Sequence, residues 1–350
     1  MTNAQHSKKR AVVICPGRGT YNKDELGYFH RFHSDKIDIL TVIDAHRDEH
    51  EQVSVSELDQ MNAYNMRLHT SGENASSLIY ACSKADFNAI DTDEYDIVAI
   101  TGNSMGWYIA LAVAGALNEQ SSIELINTMG SMMKNGVIGG QSIYPIVDEY
   151  WRPDNAKIAF VEQTLEEINQ LDQCEVYTSI KLGGFIVIGG NKAGLKEIEQ
   201  RLPQIDERYP MNLFNHAAFH TPLLNETSKQ AKQLLSQNLF QKPKIPLIDG
   251  KGKIWQPYST DTKALYDYTL GEQVTDYYDF TKAIEVAVKE FSPDKLIILG
   301  PGTTLGGATG QSLIKHSWHN MNNKQDFITQ QKDKPFVLAM GMAEQRALVI

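Results

Sequence analysis

The sequence is poor in cysteine, in long apolar runs and in positive charge, and each shortage closes off a class of protein. Three cysteines, Cys15, Cys82 and Cys174, are scattered over 350 residues. They have no metal-binding spacing, so neither a disulfide scaffold nor a zinc module is expected; buried thiols in a reducing, cytoplasmic compartment are. No apolar stretch approaches the length needed to cross a bilayer, so no membrane association is expected. The polar, basic start from Met1 to Arg10 leads only into a short apolar run at 11–15, which does not make a secretory leader. A net charge of −10 argues against nucleic acid as the main partner, because phosphate binding needs a basic face. Internal repeats and low-complexity tracts are missing as well.

What remains is ordinary globular composition, 42% hydrophobic and 22% charged, in a chain long enough for one large domain or two modest ones. Residues 11–15, 95–101 and 295–299 are continuous apolar runs that end in glycine-rich turns, the pattern of buried strands. Residues 37–43 read as a further short strand or an irregular loop. Helices are expected over 54–67, 75–89, 107–117, 122–135 and 222–237, the fourth with Leu125, Ile126, Met129, Met132 and Met133 at helical spacing. Glycine-rich 136–140 reads as a linker into a smaller unit, with helices at 161–171 and 194–202 and strands at 176–182 and 185–188. Strand, sharp turn and helix in succession indicate an α/β domain.

Four segments carry chemistry. Gly102-Asn103-Ser104-Met105-Gly106 fits a G-x-S-x-G nucleophile elbow: the glycines permit a tight strand-to-helix turn that raises the serine at a helix N-terminus. A hydroxyl at its free pKa is a poor nucleophile and needs a base. His220, in Ala218-Phe219-His220-Thr221-Pro222, stands at the end of a loop before a natural helix start. His216 is a competing candidate on the same reasoning. Pro16-Gly17-Arg18-Gly19 follows the first strand, where its backbone N–H groups would complete an oxyanion hole. Gly300-Pro301-Gly302 follows a later strand; it lacks the signature of a P-loop and reads as a strand-to-helix turn. The histidine pairs His30/His33 and His46/His50 lie in polar surroundings without a matching motif, so no metal site is expected.

In this order and spacing the four segments resemble the malonyl-CoA:acyl-carrier-protein transacylases and the acyltransferase domains of polyketide synthases, over roughly residues 10 to 315. The resemblance implies an α/β-hydrolase-like core with a parallel sheet, residues 10–135 and 213–350, and a ferredoxin-like α+β subdomain inserted at 136–212. It implies a short acyl group passed from coenzyme A to Ser104 and on to the phosphopantetheine thiol of an acyl carrier protein, in fatty acid or polyketide synthesis. His220 would be the base, the N–H groups of Met105 and Arg18 the oxyanion donors, and the main chain at Gln273 the histidine's support. Acyl-CoA would be a substrate, no cofactor would be permanently bound, and the chain would act as a monomer.

Several positions depart from the family pattern. Malonyl-specific members resemble one another in an arginine, on the helix after the elbow, that pairs with the free carboxylate. Here Met129 stands there, and a thioether cannot make a bidentate charged contact. Arg18 replaces a glutamine, Asn103 a histidine and Trp107 a glutamate. Either the acyl group is uncharged and meets an apolar pocket of Met129 and Trp107, or Arg18 supplies the missing cation. Two other readings compete: a serine esterase or thioesterase, disfavoured because such enzymes carry histidine late in the chain, and a non-catalytic relative serving as a docking protein, disfavoured by the presence of both Ser104 and His220. Lys192, Lys196 and Arg201 read as a solvated helix face.

Overall fold

The computed structural model describes residues 7–350; residues 1–6, the start of the segment in which no leader is expected, lie outside the described residues. Eleven strands are formed among the described residues: β1 (Lys9–Cys15), β2 (Tyr95–Gly102), β3 (Gly140–Pro145), β4 (Val176–Leu182), β5 (Phe185–Gly190), β6 (Met211–Asn212), β7 (Leu247–Ile248), β8 (Ile254–Trp255), β9 (Tyr278–Asp279), β10 (Lys295–Ile298) and β11 (Val337–Ala339). They make two sheets.

The larger sheet has the order β11-β10-β1-β2-β7-β8. Its first five strands are parallel, and β8 returns antiparallel to β7. Ala11 to Cys15 are completely buried, as are Leu296 and Ile297. Unbroken apolar runs of this kind belong to parallel strands covered on both faces. Registers Cys15↔Gly102 and Ile14↔Ile298 bring the carboxyl ends of β1, β2 and β10 together. The three glycine-rich turns therefore emerge side by side, at the end of a parallel sheet where ligands bind.

The smaller sheet has the order β6-β3-β5-β4-β9. β3, the Asn155–Ile168 helix, β4, β5, the Lys192–Arg201 helix and β6 follow one another in the chain, a βαββαβ succession of ferredoxin-like form. Its core of Tyr144, Val161, Leu165, Ile168, Val176, Ile186, Ile188, Ile198 and Leu202 forms a cluster separate from the main one. The edge strand β9 runs parallel to β4 and comes from Tyr278–Asp279, outside residues 136–212.

Some local expectations are corrected. Residues 37–43 belong to a helix, Ile37–Asp48, whose buried Ile39, Leu40, Ile43, His46 and Arg47 recur at helical spacing. The helix expected at 54–67 is interrupted: Val55–Gln60 ends at Met61, and a separate turn, Met66–His69, is capped by the Asn65 side chain. The helix expected at 222–237 is a 3-10 turn, Pro222–Leu224, followed by Asn225–Leu234. Gly140, placed in the linker, begins β3.

The Gly300-Pro301-Gly302 turn serves packing. Gly300 N–H donates to Asp86 Oδ2 at 2.6 Å. That carboxylate also meets Tyr28 Oη at 2.9 Å, His33 Nε2 at 2.6 Å and Arg346 Nη1 at 2.7 Å. A Cβ at Gly300 would lie 2.1 Å from the Tyr28 hydroxyl, so only glycine fits. This buried network fastens the C-terminal segment to the core. No helix among the described residues is long and apolar enough to cross a membrane.

Candidate active site

The turn after β2 is built on two backbone approaches that exclude any Cβ. One at Gly102 would lie 2.3 Å from the carbonyl carbon and oxygen of Gly106, and one at Gly106 would lie 2.3 Å from the Cys15 carbonyl oxygen. Asn103 N–H donates to Cys15 O at 3.0 Å, and Gly106 N–H to Asn103 O at 2.8 Å. Ser104, between them, is held at φ +56°, a left-handed conformation that L-residues adopt at a cost. The Gly106–Val113 helix starts at once, placing Ser104 at its N-terminus.

His220 reaches the same point from the loop after β6. Its N–H donates to Val274 O at 2.7 Å, its φ is +61°, and Thr221 Oγ1 donates to Ala218 O at 2.6 Å. Ser104 Oγ and His220 Nε2 stand 2.7 Å apart across 116 positions of sequence. On the far side of the ring, Nδ1 is 2.5 Å from the carbonyl oxygen of Gln273. A carbonyl only accepts, so Nδ1 carries the hydrogen and Nε2 offers its lone pair to the serine. Burial pushes the imidazole down to about 4, against the upward pull of the Gln273 carbonyl. The ring is neutral at pH 7 and able to take a proton.

Gln273 also acts through its side chain. Its Nε2 donates to Ser104 O at 3.1 Å, and its Oε1 accepts from Tyr108 Oη at 2.8 Å. Residue 273 therefore touches the serine and the histidine at once. The Met105 and Arg18 N–H groups have no protein acceptor among the described residues, and both residues border the cavity containing Ser104 Oγ. That cavity is lined by Arg18, Ser76, Met105, Tyr108, Met129 and Phe219 together with Ser104, His220, Gly130 and Gln273. Its free volume is about 40 Å³, roughly three times what one water requires. It suits a short acyl group.

Met129 lines this pocket; Trp107 does not. The Trp107 indole is turned away, with Nε1–H on Thr269 Oγ1 at 3.0 Å and the ring edge-on to Tyr268. Three residues past the serine, the helix points it into the core. Asn103 is buried behind the elbow against Gly17, also outside the pocket. His216 lies apart from the serine, 3.1 Å from Gln141 Oε1 through Nδ1. Burial, and secondarily the Arg18 charge, lower it to about 3.

Sequence reasoning passed over Tyr108 and Ser76. Tyr108 is four residues after the serine and so on the same helix face, a signal present in the sequence. Ser76 had none: it enters because Gly72 and Gly130 let the Gly72–Ala89 and Glu119–Ser131 helices pack backbone to backbone, a Cβ at Gly72 falling 2.5 Å from Gly130 O. The histidines at 30 and 33 bond Asp59 and Asp86.

A serine on a tight elbow at the end of a parallel sheet, beside a histidine held by a main-chain carbonyl, is the arrangement of an activated serine nucleophile. The chain has the fold of the malonyl-CoA:acyl-carrier-protein transacylases and is similar in sequence to such transacylases and to a polyketide biosynthesis protein. The malonyl-CoA:acyl-carrier-protein transacylase structure from Xanthomonas oryzae superposes with a TM-score of 0.73 at 17% identity, covering 97% of each chain. The polyketide biosynthesis protein PksE of Bacillus subtilis is 27% identical over 253 residues, which is 70% of this chain and 29% of that protein. The malonyl CoA-acyl carrier protein transacylase of Haemophilus influenzae is 23% identical over 241 residues, 67% of this chain and 70% of its own length. The chain thus spans less than a third of PksE. No family model matches it.

Proposed function

We propose that this chain is an acyltransferase that moves a short acyl group from coenzyme A, through an ester on Ser104, to the phosphopantetheine thiol of an acyl carrier protein in fatty acid or polyketide synthesis. The observation that carries the reading is the Ser104 Oγ–His220 Nε2 contact of 2.7 Å, with Nδ1 bound to the Gln273 carbonyl.

His220 takes the Ser104 proton as Oγ attacks the thioester carbonyl. The oxyanion lies toward the N–H groups of Met105 and Arg18. As the tetrahedral centre collapses, the C–S bond breaks and the proton passes from His220 to the departing thiolate. The carrier's thiol then enters, gives its proton to His220 and attacks the ester; Ser104 recovers its proton, and the thioester on the carrier leaves. The exchange of one thioester for another needs no electron donor or acceptor, so no resident cofactor is required. The chain works as a cytoplasmic monomer with acyl-CoA and the carrier as partners. Residues 10–135 and 213–350 form the catalytic core and 136–212 the inserted subdomain, with β9 lent to its sheet by the core.

The test is mass spectrometry of the intact protein after exposure to a panel of short acyl-CoAs, followed by addition of carrier protein bearing phosphopantetheine. One acyl mass is expected on wild type, none on Ser104→Ala, and discharge to the carrier faster than to water. Discharge to water alone would replace the transferase with a thioesterase. Absence of label with every donor would leave a docking protein.

A further inference from the structure

The pocket at Ser104 is lined by a cation, Arg18, that has no carboxylate partner among the described residues. With His220 neutral, Arg18 is the lining side chain that is charged at pH 7: burial lowers its guanidinium to about 10, well above neutrality, with no carboxylate contributing. Among the described residues its acceptors are two main-chain carbonyls, Asn215 O and Thr70 O at 3.5 Å, and both bonds come from Nη2. Nη1 and Nε have no protein acceptor among the described residues. Nη1 lies against Gly72, 3.2 Å from where a Cβ would stand. Arg18 is half-buried, its Nε and Nη1 are left for an acceptor, and the planar guanidinium fork suits a carboxylate.

The other walls narrow the choice. Met129 reaches the pocket from the Glu119–Ser131 helix, Tyr108 from the Gly106–Val113 helix, and Arg18 from the loop after β1. The small cavity leaves room for a group of a few heavy atoms beyond the ester. Tyr108 is already committed to Gln273 Oε1, and Met129 offers no charge.

On the reading that Ser104 is acylated, we infer that Arg18 is the specificity-determining residue of this chain, gripping the free carboxylate of a carboxyacyl group such as malonyl from the β1 loop, with Met129 as an apolar wall. The N-terminal loop thereby has two tasks: its backbone N–H faces the reacting carbonyl, and its side chain selects the acyl group.

The experiment is competition between malonyl-CoA and acetyl-CoA at equal concentration on the full chain, read by intact mass. Wild type should favour malonyl by at least about tenfold. Arg18→Gln should cut the malonyl-to-acetyl ratio by at least about tenfold, and Arg18→Gln combined with Met129→Arg should raise it again by supplying the cation from the helix. A malonyl preference that survives Arg18→Gln, or wild type that loads both donors equally, overturns the inference while leaving the acyl-serine intact. No label from any donor overturns the acyl-serine reading and the inference with it. Wild-type competition decides between these even if a variant fails to fold.

Discussion

The buried environment of His220 makes a quantitative demand on the pH dependence of acylation. An imidazole acts as base only when neutral. Burial holds this one down to about 4, whereas an exposed histidine titrates near about 6.5. At about pH 5.5 an ordinary histidine would be about one-tenth neutral, but one with a pKa of about 4 is almost wholly neutral. The second-order rate of Ser104 acylation, which reports the free enzyme, should therefore be nearly flat from about pH 8 down to about pH 5.5 and fall only as pH approaches about 4. Rapid-quench labelling with acyl-CoA, read by intact mass, measures it. A tenfold loss between about pH 7.5 and about pH 5.5 would refute the reasoning, since it requires a solvated imidazole. The same depression acts on stability with a definite sign. Between about pH 6.5 and about pH 4 the unfolded chain binds a proton that folded His220 refuses, so stability falls as pH drops through that window, at roughly 1.4 kcal/mol per unit. His216, lowered to about 3, adds a comparable slope, so quench times must be short compared with acid unfolding.

Other substitutions probe the scaffold around the pair. Tyr108→Phe removes the donor to Gln273 Oε1 and leaves a buried acceptor unpaired, at about 1–3 kcal/mol; acylation should slow through kcat with KM little changed, and equal loss in both would contradict a positioning role. Gly106→Ala forces a Cβ to 2.3 Å from the Cys15 carbonyl oxygen, an overpacking of backbone on backbone expected to cost more than about 3 kcal/mol and to show as a large drop in the urea midpoint. Asp86→Ala strips the counter-charge from buried Arg346 and should cost about 3–5 kcal/mol, while any protein that still folds keeps its acylation rate per folded molecule.

The elbow was legible because its chemistry is steric: two glycines around a serine, after an apolar run, admit few other structures. The parallel strands were legible for a related reason, since residues buried on both faces leave no polar alternation in the sequence. The helix at Ile37–Asp48 was not, because its register rests on burying Arg47. That residue's guanidinium is hydrogen-bonded by Val53 O, Glu73 O, Ser77 Oγ, Asn74 Oδ1 and Asn127 Oδ1, partners drawn mostly from distant segments. The orientation of Trp107 also escaped. Its departure from the family pattern suggested a place in the pocket with Met129, but the helix turns by about 100° per residue, and the one-turn neighbour Tyr108 takes the place beside Gln273.

The Ser104–His220 pair shares a backbone property that bears on how the site is maintained. Both residues are non-glycine and both have positive φ, +56° and +61°, a conformation costing about 1 kcal/mol or more apiece. The cost is met by the surroundings of each residue. Asn103 and Gly106 clamp the serine through Cys15 O and Asn103 O. Val274 O fixes the histidine's own N–H, one residue from the Gln273 carbonyl that fixes its ring. The short helix Glu272–Thr275 thus sets the backbone and the tautomer of His220 together, while the Gln273 amide ties the same helix to Ser104 O. Displacing that helix would let both residues relax toward negative φ and pull their side chains apart, so the 2.7 Å contact depends on its packing as much as on either reacting residue.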